Sequence, residues 1–156
     1  MEEAKKKKVL WSTDFSEVSL LALKATRFLR TMPDSMLLAM HCIENPLDDI
    51  YETATTSTVK MIDHAREVSR KKLKKILSEI GVPEKGYRLI IKVGDPAEKV
   101  LEVSEEEKVA SIIMGKESKG LERLMGSVSE YVVNRAKCPV LIVGQRVKNG
   151  WIKIDS

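Results

Sequence analysis

The chain has 156 residues, a length that predicts one domain with its own hydrophobic core and is too short for two. Hydrophobic residues make up 43% and charged residues 32%, which is typical of a globular protein and excludes a disordered one. The net charge of +4 is mild, so it permits an anionic ligand without requiring nucleic acid.

Extended and helical patterns alternate in the first part of the chain. The short apolar run from Val9 to Thr13 predicts a strand, and apolar side chains from Val18 to Leu29 recur at helical spacing. Pro33-Asp34 ends this helix, and the nearly continuous apolar run from Ser35 to Ile43 is typical of a strand buried on both faces. Glu44 to Thr58 is polar and has no periodicity, so we expect an irregular loop there.

The middle of the chain contains the longest predicted helix. From about Val59 to Ile80 apolar residues fall near one helical face, and Gly81-Val82-Pro83 supplies the stop. Tyr87 to Val93 is the third predicted strand. In Asp95-Pro96-Ala97-Glu98, Asp is placed as N-cap, Pro as the first helical residue and Glu as the third, so a helix begins here.

The last part of the chain adds a strand, a helix and a strand. Val109 to Met114 is the fourth predicted strand. Gly126-Ser127-Val128-Ser129-Glu130 opens a helix that ends at Cys138-Pro139, and Val140 to Val143 is the fifth strand. Five strands alternating with four helices favour an α/β fold, with one parallel sheet and helices on both faces.

The chain carries no signal for a second domain or a membrane. We expect one domain over residues 1–144 and a C-terminal tail over 145–156. The longest apolar run, Met36 to Met40, has five residues, whereas roughly 20 are needed to cross a bilayer. The lysine-rich start lacks the apolar segment of a signal peptide, so we expect a cytoplasmic protein.

No arrangement of residues typical of catalysis or metal binding is present. Cys42 and Cys138 lie far apart without metal-ligand spacing, which indicates neither a disulfide framework nor a metal site. His41 in the second strand and His64 on the long helix are interpreted as core or surface residues. Since Walker A and GxGxxG patterns are also absent, we predict no dedicated enzyme, and at most weak ATP hydrolysis.

Two loops are rich in candidate binding residues. In open parallel sheets, ligands bind outside the carboxyl ends of the strands, where the strand order reverses. Ser12-Thr13-Asp14-Phe15-Ser16 follows the first strand, and its Asp14 either accepts hydrogen bonds from ribose hydroxyls or caps the helix with Ser16. In the loop from Gly115 to Ser129, Gly126 permits close approach, and the N–H groups of Val128 and Ser129 begin a helix whose positive end attracts anions. A phosphate site or a plainly capped helix both explain this second pattern.

Six segments, in order and over nearly the whole chain, resemble the universal stress protein family. They are Ser12-Thr13-Asp14-Phe15-Ser16, Val93-Gly94-Asp95-Pro96-Ala97-Glu98, Ile112-Ile113-Met114-Gly115, Gly120-Leu121-Glu122-Arg123-Leu124, Gly126-Ser127-Val128-Ser129 and Cys138-Pro139-Val140-Leu141-Ile142-Val143. The resemblance implies a Rossmann-like sheet of order 3-2-1-4-5, of the adenine nucleotide alpha hydrolase type. It also implies ATP or AMP as ligand, with Mg or Mn on the phosphates.

The resemblance assigns roles to individual positions. By this correspondence, Asp14 touches the nucleoside beside Ser12 and Thr13, and the backbone of Cys42 contacts the adenine. Gly126 and Ser127, followed by Val128 and Ser129, face the phosphates.

The glycine motif of the nucleotide-binding members, G-x2-G-x9-G-[S/T], is altered here. Gly115 fits its first glycine, but Ser118 stands at the second, and seven residues rather than nine separate Ser118 from Gly126. AMP binding, weaker ATP binding and no binding therefore stay open, with Lys116 or Lys119 as compensating charges.

Three functions compete. The first is a cytoplasmic, adenine-nucleotide-binding regulatory module in stress response, and the second is a nucleotide-independent dimeric interaction protein of the same fold. A nucleic-acid binder is the third, and it rests on cations of the long helix that we interpret as a solvated face: Arg66, Arg70, Lys71, Lys72, Lys74 and Lys75. The family order makes Val140 to Val143 an apolar edge strand, so a homodimer through this strand is expected.

Overall fold

The strands and helices follow one another in the predicted alternation. In this computed structural model, the structure describes residues 6–29, 35–44, 56–116, 127–144 and 146, and only the backbone of 26–29. Its elements are β1 (Lys7–Thr13), α1 (Glu17–Leu29), β2 (Ser35–Ile43), α2 (Thr56–Ile80), β3 (Tyr87–Val93), α3 (Pro96–Glu106), β4 (Ser111–Lys116), α4 (Ser127–Arg135) and β5 (Val140–Gly144), with a short 3-10 helix at Glu84–Gly86.

The five strands form one parallel sheet of order β3-β2-β1-β4-β5, which confirms the predicted fold class. β1 lies at its centre between β2 and β4. The chain builds outward from β1 to β3, then returns past β1 to add β4 and β5 on the other side. The order of the strands therefore reverses between β1 and β4, and this is where a parallel sheet of this kind offers a binding crevice.

Alternating strand residues enter two separate cores. Leu10 packs toward α3 and α4, whereas its neighbour Trp11 packs toward α1 and α2. β2 alternates in the same way between Leu37 and Leu38, which explains its continuous apolar run. Because each face of the sheet buries apolar side chains against its own pair of helices, helices on both faces are confirmed.

Several element boundaries differ from the prediction. α2 begins at Thr56, so residues 56–58 are helical rather than part of the loop. Residues 45–55 of that loop lie outside the described part of the chain, as does the predicted tail over 145–156 apart from Arg146. α4 ends at Arg135, three residues before Cys138, and Pro139 disfavours helical backbone only at Cys138 itself.

The start of α3 is as the sequence predicted. Asp95 is the N-cap, and its carboxylate accepts a hydrogen bond from the Glu98 backbone N–H at 3.0 Å, with Pro96 as the first helical residue. Just before it, Gly94 has φ +139° and donates its N–H to the Ile43 carbonyl at 2.9 Å. The α3 N-terminus is thereby attached to the carboxyl end of β2. No helix in the described ranges is long and apolar enough to span a bilayer.

Candidate functional site

The sheet opens between β1 and β4 at their carboxyl ends. The register of these strands runs from Val9 opposite Ser111 to Ser12 opposite Met114. Beyond that pair, Thr13 lies opposite His41 of β2, whereas Gly115 lies opposite Val143 of β5. The pairing of the two central strands ends here, between the loop after β1 and the start of α4, and we call this position the cleft.

The loop after β1 is organised by Thr13. Its side chain is buried, and its hydroxyl accepts a hydrogen bond from the Phe15 N–H at 2.9 Å. The Ser19 hydroxyl donates to the Ser16 carbonyl at 2.7 Å, so the Thr13 hydroxyl must be the donor in its 2.6 Å contact with Ser19. Because its proton and a lone pair are both used inside the protein, the Thr13 side chain builds the loop.

Asp14 lies at the exposed tip of this loop. One carboxylate oxygen accepts the Ser16 N–H at 2.9 Å, an Asx turn, whereas the cap of α1 is the Ser16 hydroxyl, which accepts the Ser19 N–H at 3.3 Å. The helix cap is therefore supplied by Ser16, and the exposed Asp14 supports the turn that precedes it.

The β4 side of the cleft is formed by Gly115 and the first residues of α4. A Cβ on Gly115 would lie 2.7 Å from the Val18 carbonyl carbon and 2.8 Å from the Ser19 nitrogen. A glycine is required here because α1 packs directly on the β4 backbone. Ser129 is buried, and its hydroxyl makes a long 3.5 Å contact with the Gly115 carbonyl.

Of the other predicted site residues near α4, two belong to the described part of the chain and two do not. Ser127 is exposed as the first residue of α4, and Val128 is half-buried. Ser118 and Gly126, the altered and the last glycine of the motif, lie in the range 117–126 outside the described residues.

The carboxyl end of β2 presents two side chains to opposite faces of the sheet. Cys42 is half-buried on the α3 side, where its thiol donates to the Gly94 carbonyl at 3.4 Å. His41 lies on the α2 side, with Nδ1 2.8 Å from the Thr13 carbonyl oxygen and its ring 4.3 Å from the Phe15 ring. Interpreting His41 as a plain core or surface residue missed these contacts. The available signal was a polar side chain near the carboxyl end of a largely apolar strand.

Two cations of α2 contact the rest of the protein. The Lys72 ammonium lies 4.5 Å from the centre of the Phe15 ring, and Arg66 donates to the Ile91 carbonyl at 3.3 Å. The remaining four cations of the predicted solvated face, Arg70, Lys71, Lys74 and Lys75, are exposed as expected.

An ion-pair cluster lies at the amino-terminal ends of β1 and β3, away from the cleft. Lys8 and Arg88 both pair with Glu107, and their hydrogen bonds lower the pKa of that carboxyl.

Comparison with known proteins points to one family. The profile of the Universal stress protein family matches residues 6–144. The universal stress protein MJ0577 of Methanocaldococcus jannaschii is 31% identical over an alignment that covers 90% of this chain and 96% of that protein. A solved structure of MJ0577, at 30% identity, covers 91% of this chain and 98% of its own with a TM-score of 0.75.

Two further solved structures share the fold at lower identity. A universal stress protein in complex with cAMP is 21% identical, with a TM-score of 0.66 and coverage of 88% of this chain and 96% of that one. A family protein from Arabidopsis thaliana with AMP bound is 21% identical, with a TM-score of 0.57 and coverage of 90% and 93%.

Proposed function

The chain belongs to the universal stress protein family, and on this premise we propose that it binds an adenine nucleotide, ATP or AMP, in the cleft between β1 and β4. With residues 1–144 as its single domain, it acts as a cytoplasmic regulatory module in stress response. Binding of the nucleotide changes the loops that border the cleft, and partners respond to that change.

The observation that carries this proposal is the strand order, which reverses between β1 and β4, with their pairing ending at Ser12 and Met114. The cleft lies at the reversal of strand order, where ligands of such sheets bind. An exposed carboxylate, Asp14, lies on one side, and the N-terminus of α4 lies on the other. A nucleotide suits both sides, since ribose hydroxyls donate to a carboxylate and phosphates are attracted to a helix N-terminus.

Six of the candidate residues have a defined role in the proposed complex. Asp14 accepts hydrogen bonds from the ribose, and the backbone at Cys42, on the neighbouring strand, contacts the adenine. The phosphates lie against Ser127, Val128 and Ser129, with Gly126 before them. The family structures in complex with AMP and with cAMP support an adenine nucleotide as the ligand class.

The first test is to identify a ligand that the protein already holds. Freshly purified protein is denatured by heat, and the released small molecules are separated by chromatography and identified by mass spectrometry. We expect an adenine nucleotide, and calorimetry should then give heat with AMP, ADP or ATP. No released nucleotide, together with no heat at millimolar concentrations of all three, would contradict the proposal.

The edge strand β5 favours a second candidate function, that of a dimeric interaction protein that needs no nucleotide. β5 has one neighbour in the sheet, β4, and its Leu141 is 37% exposed. Val133 on the adjacent α4 is 40% exposed. An apolar strand edge pairs readily with a second chain. Sedimentation of the nucleotide-free protein tests whether the dimer forms without a ligand. A dimer without detectable nucleotide binding would favour this second function.

A further inference from the structure

Phe15 has an unusual backbone conformation in the loop that carries Asp14. Its φ is 66°, in the left-handed region that bulky residues rarely adopt. A non-glycine residue remains there only when its surroundings hold it, and such residues cluster at binding sites. The contacts that hold Phe15 therefore affect the position of its neighbour Asp14, the candidate ribose-binding residue.

Phe15 contacts a hydroxyl, a ring, a cation and the hydrophobic core. Its N–H donates to the Thr13 hydroxyl at 2.9 Å. Its ring lies 4.3 Å from the His41 ring, with an interplanar angle of 38°, and 4.5 Å from the Lys72 ammonium. The side chain also packs against the core between the sheet and helices α1 and α2.

His41 contacts both residues that flank Asp14. Its Nδ1 is 2.8 Å from the Thr13 carbonyl oxygen, and because a carbonyl only accepts, Nδ1 must carry a proton and donate. Its ring packs on Phe15, on the other side of Asp14. The β1–β4 pairing ends one residue before Thr13, so His41 restrains the loop at the point where the sheet opens.

We propose that His41 is a positioning residue of the nucleotide site, which holds Thr13 and Phe15 so that the Asp14 carboxylate faces the ribose. The inference rests on the proposed function, since it concerns the same site. The hydrogen bond to the Thr13 carbonyl is the main restraint, and the ring contact is secondary. His41 itself does not touch the nucleotide.

Two substitutions separate the contribution of the His41 hydrogen bond to nucleotide affinity from the contribution of its ring packing. His41→Phe keeps a ring against Phe15 but loses the donor, whereas His41→Asn loses the ring and keeps an N–H donor near the position of Nδ1. By calorimetry with AMP, we expect His41→Phe to bind about five- to tenfold more weakly, the effect of one lost hydrogen bond, and His41→Asn to bind within about twofold of wild type. Circular dichroism and thermal unfolding establish that both variants are folded.

A double-mutant cycle with Asp14→Ala distinguishes positioning from general stabilisation. If His41 acts through Asp14, His41→Phe costs less than about twofold in affinity once Asp14 is absent. A merely structural role would leave the full loss in the Asp14→Ala background. Additive losses would therefore contradict the inference.

Amide exchange of the ligand-free protein supplies a second readout. The N–H groups of Phe15 and Ser16 are bonded inside the loop, so their exchange, measured by NMR, should become about fivefold faster in His41→Phe but not in His41→Asn. Unchanged loop exchange and unchanged AMP affinity in His41→Phe would overturn the inference while leaving the proposed function intact. If wild type binds no nucleotide at all, the proposed function fails and this inference fails with it. If His41→Phe shows faster loop exchange but an unchanged AMP affinity, His41 orders the loop without positioning Asp14, which contradicts the inference.

Discussion

Gly115 of β4 lies against the backbone of Val18 at the start of α1, so closely that an added Cβ would stand 2.7 Å from the Val18 carbonyl carbon. The first glycine of the altered motif is therefore demanded by the packing of α1 on the sheet, whatever binds in the cleft. Because backbone rather than a flexible side chain is in the way, the clash cannot be relieved by a rotamer change.

Gly115→Ala should accordingly destabilise the protein. We expect a loss of about 1–3 kcal/mol in the free energy of unfolding, the range for overpacking a tight contact, measured by urea denaturation. Gly144→Ala at the end of β5 is the matched control, since a Cβ there meets nothing within 4 Å. Equal stability of the two variants would contradict the packing role of Gly115.

Asp14→Ala should weaken nucleotide binding while the fold persists. Loss of a ribose partner is expected to cost about 1–3 kcal/mol, or roughly five- to 150-fold in affinity, measured by calorimetry with AMP and ATP. Asp63→Ala, at an exposed position of α2, serves as the control and should bind as wild type. An unchanged affinity in Asp14→Ala would remove Asp14 from the site.

Glu107→Gln should change the acid dependence of stability. Hydrogen bonds from Lys8 and Arg88 hold the pKa of the Glu107 carboxyl below its ordinary value of 4.5 in the folded protein. A lowered folded-state pKa contributes stability that is complete above the unfolded-state pKa and is lost as pH falls through the folded-state value. The stability difference between wild type and Glu107→Gln should therefore be largest near neutral pH and shrink below about pH 4.5.

The control for this prediction is Glu84→Gln, which changes an exposed carboxylate in the 3-10 helix. Urea denaturation of all three proteins from pH 7 to pH 3 is the measurement. A difference between wild type and Glu107→Gln that stays constant over this range would show that the carboxyl makes no pH-dependent contribution.

Leu141→Lys should abolish dimer formation if the protein pairs through β5. Leu141 is 37% exposed on the edge strand, whereas its neighbour Ile142 packs into the core against α3 and α4. Leu141 is thus the better position for a charge, since a lysine there disturbs the edge without entering the core. Sedimentation at micromolar concentration should give a dimer mass for wild type and a monomer mass for the variant.

Met61→Lys is the matched control for the edge strand. Met61 is 70% exposed on α2, far from β5 in the order of elements, and its replacement should leave the mass unchanged. A monomeric wild type, or a dimer that survives Leu141→Lys, would contradict pairing through β5.

Local patterns were enough to predict most of the fold. The N-cap at Asp95 follows from three neighbouring residue types, and burial of β2 on both faces follows from one apolar run. The start of α2 was placed too late because Thr56-Ser57-Thr58 is polar and shows no apolar periodicity. The strand order was implied by resemblance to a family, since alternation alone leaves several orders open.

The candidate site was predicted only as a set of segments. Asp14 was singled out correctly as a loop residue, and the structure shows that its carboxylate bonds to the Ser16 N–H while Ser16 caps α1. Its contact with a ribose stays a prediction. Thr13 was grouped with the ligand contacts, and the structure adds that its hydroxyl bonds to Phe15 and Ser19. His41 was interpreted as a core or surface residue and not as part of the site.

The helices and strands follow from local sequence, because helical periodicity, apolar runs and caps are encoded by residues a few positions apart. The contacts between those elements follow from the folded sheet: His41 bonds to Thr13, 28 residues away, and Gly115 lies against Val18. Such contacts depend on strand order and register, which arise from the packing of the whole sheet and leave no periodic signal in the chain.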